Sequence, residues 1–410
     1  MNFRNVFIFF VFFCFIVNPV VSFADDFLEE SVEVSFENNA HSTEAPVINA
    51  RHAVVLDRAS KTILYGKGEN EKCKMASTTK IITAIVVLEN TSDLNSIVTV
   101  SKKASGTGGS RLGLAYNNEV TVNDLLYGLL MVSGNDAAVA LAEFVGGSVE
   151  NFAEMMNQKA NSLGLVSSHF VTPHGLDQDE HYTTAFELAK IADYALNNKT
   201  FSKIVYTKNY IVSISGKPKN LNNTNELLGY LDGVYGVKTG FTNGANRCLV
   251  SSCKRGNLDI VCVVLGCDTK KDRTLDSIKL INYIFDNFSI VNVKDILNAN
   301  FDEWSSHYSS SIFVEKGVST NVAFCLDDTN FLYEKVAIKN DVLDDIYTPI
   351  SVSNFYEAPL NAGDIVGSMD FFVGDMKYFS VNILNKNLLS RKNVLDYWKF
   401  FLENYFAFWH

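Results

Sequence analysis

Buried helices are predicted where long apolar runs follow small hydroxyl residues. The clearest run is 81–88, which follows Ala76-Ser77-Thr78-Thr79-Lys80 and predicts a buried helix ending near Asn90. Ser77 lies where this helix begins, a position that favours serine. Residues three apart on a helix lie on one face, so Ser77 and Lys80 can point into the same cleft.

Two further apolar helices are predicted at residues 121–132 and 136–147, and Ser133-Gly134-Asn135 interrupts them. A polar tripeptide between apolar helices indicates a turn held inside the fold rather than a surface loop. Buried polar side chains need hydrogen-bond partners or a function. This turn is therefore a second candidate for chemistry.

Antiparallel strands are predicted on both sides of these helices. Residues 248–252 and 258–266 are strongly apolar and are separated by a turn, which predicts a hairpin. Lys238-Thr239-Gly240 is expected on a strand beside it. Two short strands, 52–57 and 62–65, lead into the Ser77 helix and would place that helix against a sheet.

The remaining pattern predicts two further units. Residues 148–210 are predicted to be mostly helical, and a helix at 274–288 would close the first domain. From about residue 292 to residue 385 the apolar residues occur in short alternating runs, which predict a small β-sandwich. The fold class is thus α+β, with a catalytic domain at 48–289 and a β-rich domain at 290–386.

The segment 387–410 is predicted to be an amphipathic helix. Its apolar residues recur at helical spacing: Val394, Leu395, Trp398, Phe401, Leu402, Tyr405, Phe406 and Trp409. Basic residues outnumber acidic ones here. The segment is too polar to span a bilayer and suits the membrane interface, although docking on its own domain is the alternative.

An export signal is predicted at residues 1–24. Arg4 precedes an apolar run to about Val21, and small residues follow at Ser22 and Ala24, as a signal peptidase requires. An acidic linker at 25–47 would follow. The predicted location is the outer face of the cytoplasmic membrane, with peripheral attachment through residues 387–410.

Charge and cysteine content narrow the possible partners. The formal net charge is −11, which argues against non-specific nucleic-acid binding. Of the seven cysteines, Cys14 belongs to the signal, and most of the others lie in apolar strand-like runs, as small buried hydrophobes do. We expect no obligatory disulfide.

Three further patterns, a group of histidines and second copies of two motifs, are not assigned a function. His169, His174 and His181 match no zinc-site spacing, so no metal is expected. Ser251 and Lys254 repeat the Ser-x-x-Lys spacing on a predicted strand, where residues three apart face opposite sides. A second Ser-x-Asn at 319–321 lies away from the other motifs.

The three motifs occur in an order that is typical of penicillin-binding proteins and class A β-lactamases: Ser77-Thr78-Thr79-Lys80, Ser133-Gly134-Asn135 and Lys238-Thr239-Gly240. Together with Gly109-Ser110-Arg111 and His174-Gly175-Leu176-Asp177, they resemble the serine D-alanyl-D-alanine carboxypeptidases, the low-molecular-mass penicillin-binding proteins. The predicted domain layout is also similar. The resemblance implies a transpeptidase-like domain that acts on peptidoglycan stem peptides, forms covalent adducts with β-lactams and needs no cofactor.

The resemblance also implies residue roles. Ser77 would be the acyl-ester nucleophile, Lys80 the proton acceptor and Ser133 the proton shuttle. Substrate binding would fall to Asn135, Lys238, Thr239, Gly240, Phe241 and Arg273. The backbone N–H groups of Ser77 and Phe241 would form the oxyanion hole. For Arg273, an exposed arginine at a helix start is the alternative.

Several rival functions remain. A class A β-lactamase needs a Glu-x-x-x-Asn loop between the second and third motifs, where this chain has His174-Gly175-Leu176-Asp177 instead. A D,D-endopeptidase would use the same residues on a different bond. A non-enzymatic penicillin sensor is the alternative from a different class. Some family members carry histidine at the position of Phe241. Any role of the histidine ring in those members is therefore not expected in this chain.

Overall fold

The computed structural model describes residues 43–319, 322–327, 329 and 334–407. The predicted signal peptide and all but the last residues of the acidic linker lie outside these ranges. Two residues of the second Ser-x-Asn motif, Thr320 and Asn321, also lie outside them, as do residues 408–410.

The secondary structure alternates between helices and antiparallel strands. The helices are α1 (Lys80–Asn90), α2 (Lys102–Ser105), α3 (Val122–Met131), α4 (Asn135–Gly146), α5 (Val149–Ser162), α6 (Ala185–Leu196), α7 (Lys199–Tyr206), α8 (Lys270–Asn287), α9 (Val293–Tyr308) and α10 (Val394–Ala407). The strands are β1 (His52–Asp57), β2 (Ile63–Lys67), β3 (Ile97–Thr99), β4 (Glu119–Thr121), β5 (Asn209–Ile214), β6 (Lys217–Asn222), β7 (Val234–Thr242), β8 (Asn246–Arg255), β9 (Leu258–Cys267), β10 (Phe288–Asn292), β11 (Phe313–Glu315), β12 (Phe324–Leu326), β13 (Lys335–Lys339), β14 (Ile346–Tyr347), β15 (Ile350–Val352), β16 (Phe355–Glu357), β17 (Ile365–Val373) and β18 (Met376–Asn385).

The first domain is built on an antiparallel sheet with strand order β2-β1-β9-β8-β7. Its central strand β9 is apolar without alternation because both faces are covered. Val261 and Val263 face the helices that include α1, α3, α4 and α6, whereas Ile260 and Cys262 face α8. The predicted hairpin and the placement of Lys238-Thr239-Gly240 on the strand beside it are confirmed.

The six described cysteines are free thiols, and four of them are buried in this sheet: Cys248, Cys253, Cys262 and Cys267. Burial raises the pKa of the Cys262 thiol, because the charged thiolate loses its hydration inside the sheet. These side chains therefore fill space between β-branched residues and stay protonated.

The predicted helices of the first domain are present with small shifts in their bounds. Helix α1 ends at Asn90, as expected. Helix α8 begins at Lys270, four residues before the prediction, because the Thr269 hydroxyl accepts a hydrogen bond from the Asp272 N–H at 3.0 Å and caps the helix there. The hairpin of β5 and β6, which follows the helical stretch, is absent from the prediction.

The second domain is rich in strands, but its first element is the long helix α9, which the sequence analysis missed. Val293, Leu297 and Phe301 recur at helical spacing and are buried against the sheet that contains β12, β18, β17 and β14. Strand β10 pairs with β13 and joins the two domains. The prediction of an all-strand unit is therefore wrong at its N-terminal end.

The tail helix α10 begins at Val394, later than the predicted start of the segment. Residues before it pair with the second domain, since the Lys392 N–H donates to the Lys316 carbonyl at 2.7 Å. The Asn393 side chain then caps the helix by accepting from the Asp396 N–H, and the Asp396 carboxylate accepts from the Asn393 N–H in return.

The apolar stripe of α10 faces solvent. Leu395 is 76% exposed, Trp398 60% and Phe401 57%. These side chains therefore do not pack α10 on its own domain, and that alternative is wrong for them. Among the residues that the structure covers, no helix combines the length and the apolar character needed to cross a bilayer.

Asp136 ties the loop before α3 to the start of α4. Its buried carboxylate accepts hydrogen bonds from the backbone N–H groups of Leu112, Gly113 and Leu114 at 2.7–2.9 Å. It also accepts from the Ala137 N–H at 2.9 Å. A carboxylate that satisfies several buried N–H groups is costly to remove, because each group would be left without a partner.

We expect Asp136→Ala to lower the free energy of unfolding by about 3 kcal/mol or more, because several buried donors lose a charged acceptor. Asp136→Asn should lose less, because its amide keeps one acceptor oxygen. Denaturant titration followed by circular dichroism measures both. The matched control is Asp179→Ala at an exposed position. An Asp136→Ala protein as stable as this control would contradict the anchoring role.

Candidate active site

The nucleophile candidate Ser77 lies on a 3₁₀ turn, Ala76–Thr79, that runs directly into α1. Neither the turn nor α1 has a side-chain cap, so the Ser77 hydroxyl is not used to start the helix. Ala76 adopts a left-handed conformation with φ = +50°, which costs about 1 kcal/mol for a residue with a side chain. The backbone is therefore strained immediately before the nucleophile.

Lys80 is fully buried and meets three oxygen atoms. Its Nζ lies 2.8 Å from Ser77 Oγ, 2.7 Å from Asn135 Oδ1 and 2.7 Å from the His174 carbonyl oxygen. The three-residue spacing of the first motif thus becomes a direct contact between the amine and the hydroxyl. Two distant segments supply the remaining partners.

The protonation state of Lys80 decides what this contact can do. Burial lowers the pKa of Lys80 well below its usual value, and the nearby positive charge of Lys238 lowers it further, while Asp136 opposes the shift. Burial also lowers the pKa values of His174 and His181, to about 3 and about 4, so neither ring adds a positive charge. Burial and the charge of Lys238 therefore drive the Lys80 amine toward its neutral form.

The surrounding acceptors orient the neutral amine. The His174 carbonyl can only accept, and so can Asn135 Oδ1, whose orientation is set because Asn135 Nδ2 donates to the Gly108 carbonyl at 2.7 Å. A neutral amine has two N–H groups, which these two oxygens take. Its lone pair then faces the Ser77 hydroxyl, as a general base requires.

Ser133 occupies the turn between α3 and α4, two residues before Asn135. It is buried, and its φ of +59° places this non-glycine residue in the left-handed region. Within the described residues its hydroxyl forms no hydrogen bond. The prediction of a turn held inside the fold is confirmed, and a strained turn with an uncommitted hydroxyl is typical of a functional position.

Strand β7 brings the third motif against the nucleophile turn. A Cβ atom added to Gly240 would lie 3.2 Å from the Ser77 nitrogen and 3.2 Å from the Met75 carbonyl oxygen. Glycine therefore lets the strand approach the backbone of the nucleophile turn, a reason that the sequence analysis did not anticipate. Lys238 is buried on the same strand and donates to the Thr239 carbonyl at 2.9 Å.

Thr239 and Phe241 flank Gly240. The Thr239 hydroxyl lies 2.8 Å from the hydroxyl of Thr224, so two hydroxyl groups are paired there. The ring of Phe241 stacks on the guanidinium of Arg247, its partner on β8, at 3.9 Å from the ring centre. This stack holds the aromatic side chain beside the strand.

Arg273 is fully buried in α8, so the alternative of an exposed arginine is wrong. It forms an ion pair with Glu226, which also accepts from the Thr274 hydroxyl at 2.6 Å. Among the described residues, its Nε and Nη1 groups have no hydrogen-bond partner. Its described side-chain partner is therefore Glu226 rather than a residue of the three motifs.

The segment 171–177 presses against the nucleophile turn and makes contacts to which the sequence analysis assigns no role. A Cβ atom on Gly175, whose φ is +84°, would lie 1.9 Å from the Ala76 carbonyl oxygen, so only glycine fits there. Asp177 anchors the segment by accepting from the Thr242 hydroxyl at 2.7 Å and from the Gly244 N–H at 2.9 Å.

The decoy motif is excluded by its geometry. Ser251 lies fully buried on β8, whereas Lys254 is exposed near the end of the same strand. In the described part of the chain, no cluster of His, Cys, Asp and Glu side chains could hold a metal ion.

A family model described as D-alanyl-D-alanine carboxypeptidase, peptidase family S11, matches residues 39–269. The chain belongs to this family. The curated D-alanyl-D-alanine carboxypeptidase DacF of Bacillus subtilis is 32% identical over 325 residues, which cover 78% of this chain and 80% of the relative. The expectation drawn from the three motifs is confirmed.

Two solved structures extend the similarity into the second domain. Penicillin binding protein 5 of Haemophilus influenzae has a TM-score of 0.68 at 27% identity and covers 85% of this chain and 99% of its own. The D-alanyl-D-alanine carboxypeptidase DacD of Francisella tularensis has a TM-score of 0.70 and covers 92% of this chain and 100% of its own; at 23% identity it supports the fold alone. The α+β class of this carboxypeptidase family member is thereby confirmed.

We expect Lys238→Gln to move the acid limb of acylation to higher pH, because removal of the positive charge beside Lys80 raises the pKa of that amine. The measurement is the rate of acylation by a fluorescent penicillin across the pH range. Lys254→Gln, an exposed lysine on β8, is the control. An unchanged midpoint in Lys238→Gln would show that Lys238 does not set the basicity of Lys80.

Proposed function

We propose that this chain is a serine D-alanyl-D-alanine carboxypeptidase that removes the terminal D-alanine from peptidoglycan stem peptides through an acyl-enzyme. The observation that supports it most is the buried Lys80 amine 2.8 Å from the Ser77 hydroxyl. Membership of the carboxypeptidase family is independent support.

The reaction begins with proton transfer from Ser77 Oγ to Lys80 Nζ while Oγ attacks the carbonyl carbon of the penultimate D-alanine. The Ser77 and Phe241 N–H groups take the negative charge that develops on the carbonyl oxygen, worth about 3 kcal/mol per donor. When the peptide bond breaks, Ser133 relays the proton taken up by Lys80 to the leaving amine with the help of Lys238, which leaves Lys80 neutral again. Water then hydrolyses the ester and regenerates Ser77.

Substrate orientation depends on groups along β7 and α4. One N–H of the Asn135 amide donates to the Gly108 carbonyl, and the second N–H is available for the substrate backbone. Gly240 leaves room for an extended peptide beside the strand. Thr239 binds the terminal carboxylate, and Arg273, which is buried and paired with Glu226, is the second group that we assign to that carboxylate.

The segment that faces Lys80 disfavours the β-lactamase alternative. A carbonyl oxygen, that of His174, meets the amine there. A carbonyl cannot remove a proton from water, so this position offers no general base for rapid hydrolysis of a penicilloyl ester. We therefore expect a longer-lived penicillin adduct than a β-lactamase would form.

We expect Ser77→Ala to abolish both D-alanine release from a peptide ending in D-Ala-D-Ala and covalent labelling by penicillin, each by at least about a thousandfold. Mass spectrometry follows the released D-alanine and the adduct. Ser251→Ala, which changes the serine of the decoy motif, is the control.

Other outcomes assign other functions. Rapid turnover of nitrocefin by the unaltered protein would favour a β-lactamase. An adduct without D-alanine release would favour a sensor. A panel of stem peptides and cross-linked dimers, scored by mass spectrometry, separates carboxypeptidase from endopeptidase activity.

The layout around the catalytic unit is part of the same proposal. Residues 1–24 direct export and 25–47 form a spacer. Residues 48–289 carry the site and 290–386 hold it away from the surface to which α10 binds. The solvent-facing stripe of α10, with Lys399 and the basic residues before it, suits the interface of an anionic membrane.

We expect the double variant Trp398→Glu and Phe401→Glu to reduce co-sedimentation with phosphatidylglycerol vesicles by at least about tenfold, because two aromatic contacts with the lipid are replaced by charges. D-alanine release should be unchanged. Tyr206→Glu alters an exposed aromatic residue outside α10 and is the control. Equal co-sedimentation of the double variant and the control would exclude α10 as the membrane contact.

A further inference from the structure

His181 is buried between the segment 171–177 and the turn that carries Ser77, and both of its ring nitrogens are engaged. The side chain is only 2% exposed. Nδ1 lies 3.0 Å from the Val171 backbone nitrogen, and Nε2 lies 2.8 Å from the Thr79 hydroxyl oxygen. The ring therefore bridges the segment and the Ser77 turn.

These partners determine the tautomer. A backbone N–H can only donate, so Nδ1 must be unprotonated in order to accept from Val171. Nε2 then carries the proton and donates it to the Thr79 hydroxyl, which in turn donates to the Ala76 carbonyl at 2.8 Å. A chain of hydrogen bonds thus runs from His181 through Thr79 to the strained residue before Ser77.

The same contact surface sets the position of Lys80. Gly175 is packed directly against the Ala76 carbonyl, and the residue before it, His174, offers its own carbonyl to Lys80 Nζ at 2.7 Å. Thr83, one turn further along α1, donates to the Pro173 carbonyl at 2.7 Å. A shift of the segment relative to the turn would therefore move an acceptor away from the amine.

We infer that His181 is a positioning residue that locks the segment 171–177 onto the nucleophile turn through Thr79, in its neutral Nε2–H form. The inference rests on the proposed function, because its consequence is the geometry of Ser77 and Lys80. His181 does not touch the reacting atoms. It keeps the His174 carbonyl in place, so that the lone pair of Lys80 faces Ser77.

The electrostatic surroundings support a neutral ring. Burial, with smaller contributions from His169 and Lys80, lowers the pKa of His181 to about 4, and Asp177 opposes the shift. Lys80 in turn faces Lys238, Asp136, His174 and the His181 ring. Loss of the lock would let water reach Lys80, which weakens the desolvation that lowers its pKa.

Two amide substitutions distinguish the hydrogen bond of Nε2 from that of Nδ1. His181→Gln can place an N–H near the Nε2 position and keep the bond to Thr79, whereas His181→Asn can place an oxygen near Nδ1 and keep only the bond to Val171. We expect His181→Asn to slow acylation by a fluorescent penicillin at least about tenfold and to move the acid limb to higher pH. His181→Gln should stay closer to the unaltered protein in both respects.

Two further variants complete the comparison. Thr79→Val keeps the shape of the side chain without its hydroxyl and should behave as His181→Asn does. His169→Gln is the matched control, because His169 is partly exposed and bonds the Glu180 carbonyl. A merely structural role of His181 would reduce the amount of active protein but leave the midpoint of the pH profile unchanged, and that result would overturn the inference.

A measurement on the unaltered protein tests the lock without any substitution. In ¹⁵N-histidine spectra, the His181 ring should show a protonated Nε2 and an unprotonated Nδ1 and should resist titration down to about pH 4. A ring protonated at Nδ1 at neutral pH would overturn the inference. If penicillin does not acylate the unaltered protein, the proposed function fails instead, whatever the tautomer.

Discussion

The structure depends on keeping one amine out of water. A buried ammonium loses hydration worth several kcal/mol, and the second cation, Lys238, adds repulsion, so Lys80 is favoured as a neutral base rather than as a charge. The oxygens around it come from the turn before α1, from α4 and from the segment 171–177. Three distant parts of the chain therefore have to meet at a single nitrogen, and the packing of the first domain serves that requirement.

The parts of this arrangement that follow from local rules were predictable. Helix α1 could be recognised because its apolar run is buried on nearly every side, and β8 and β9 because a sheet covered on both faces needs no alternation. The helix-forming position of Ser77 and the spacing to Lys80 are local as well. So is the interior turn at Ser133, since polar residues between two buried helices cannot reach solvent.

The rest depends on partners far away in the chain. The buried state of Arg273 follows from Glu226, 47 residues earlier, and neither residue alone distinguishes a surface arginine from an interior one. The spacing of His181 indicates only that it is not a metal ligand, and its partners, Thr79 and Val171, are brought to it when the segment folds over the turn. Helix α9 is a different case, because Val293, Leu297 and Phe301 have helical spacing and could have been recognised.

Two non-glycine residues of the site have left-handed backbones, Ala76 and Ser133, each at a cost of about 1 kcal/mol. Ala76 directly precedes the proposed nucleophile, and Ser133 is itself the proposed proton shuttle. Strain of this kind persists only where the surroundings leave no alternative. Asp136 holds the loop against α4, and Gly175 and Gly240 remove the side chains that would keep the Ser77 turn apart from its neighbours. Residues that do not react thus determine whether the reactive ones are held in place. The free energy lost at Ala76 and Ser133 is offset by hydrogen bonds around the site, such as those of Asp136.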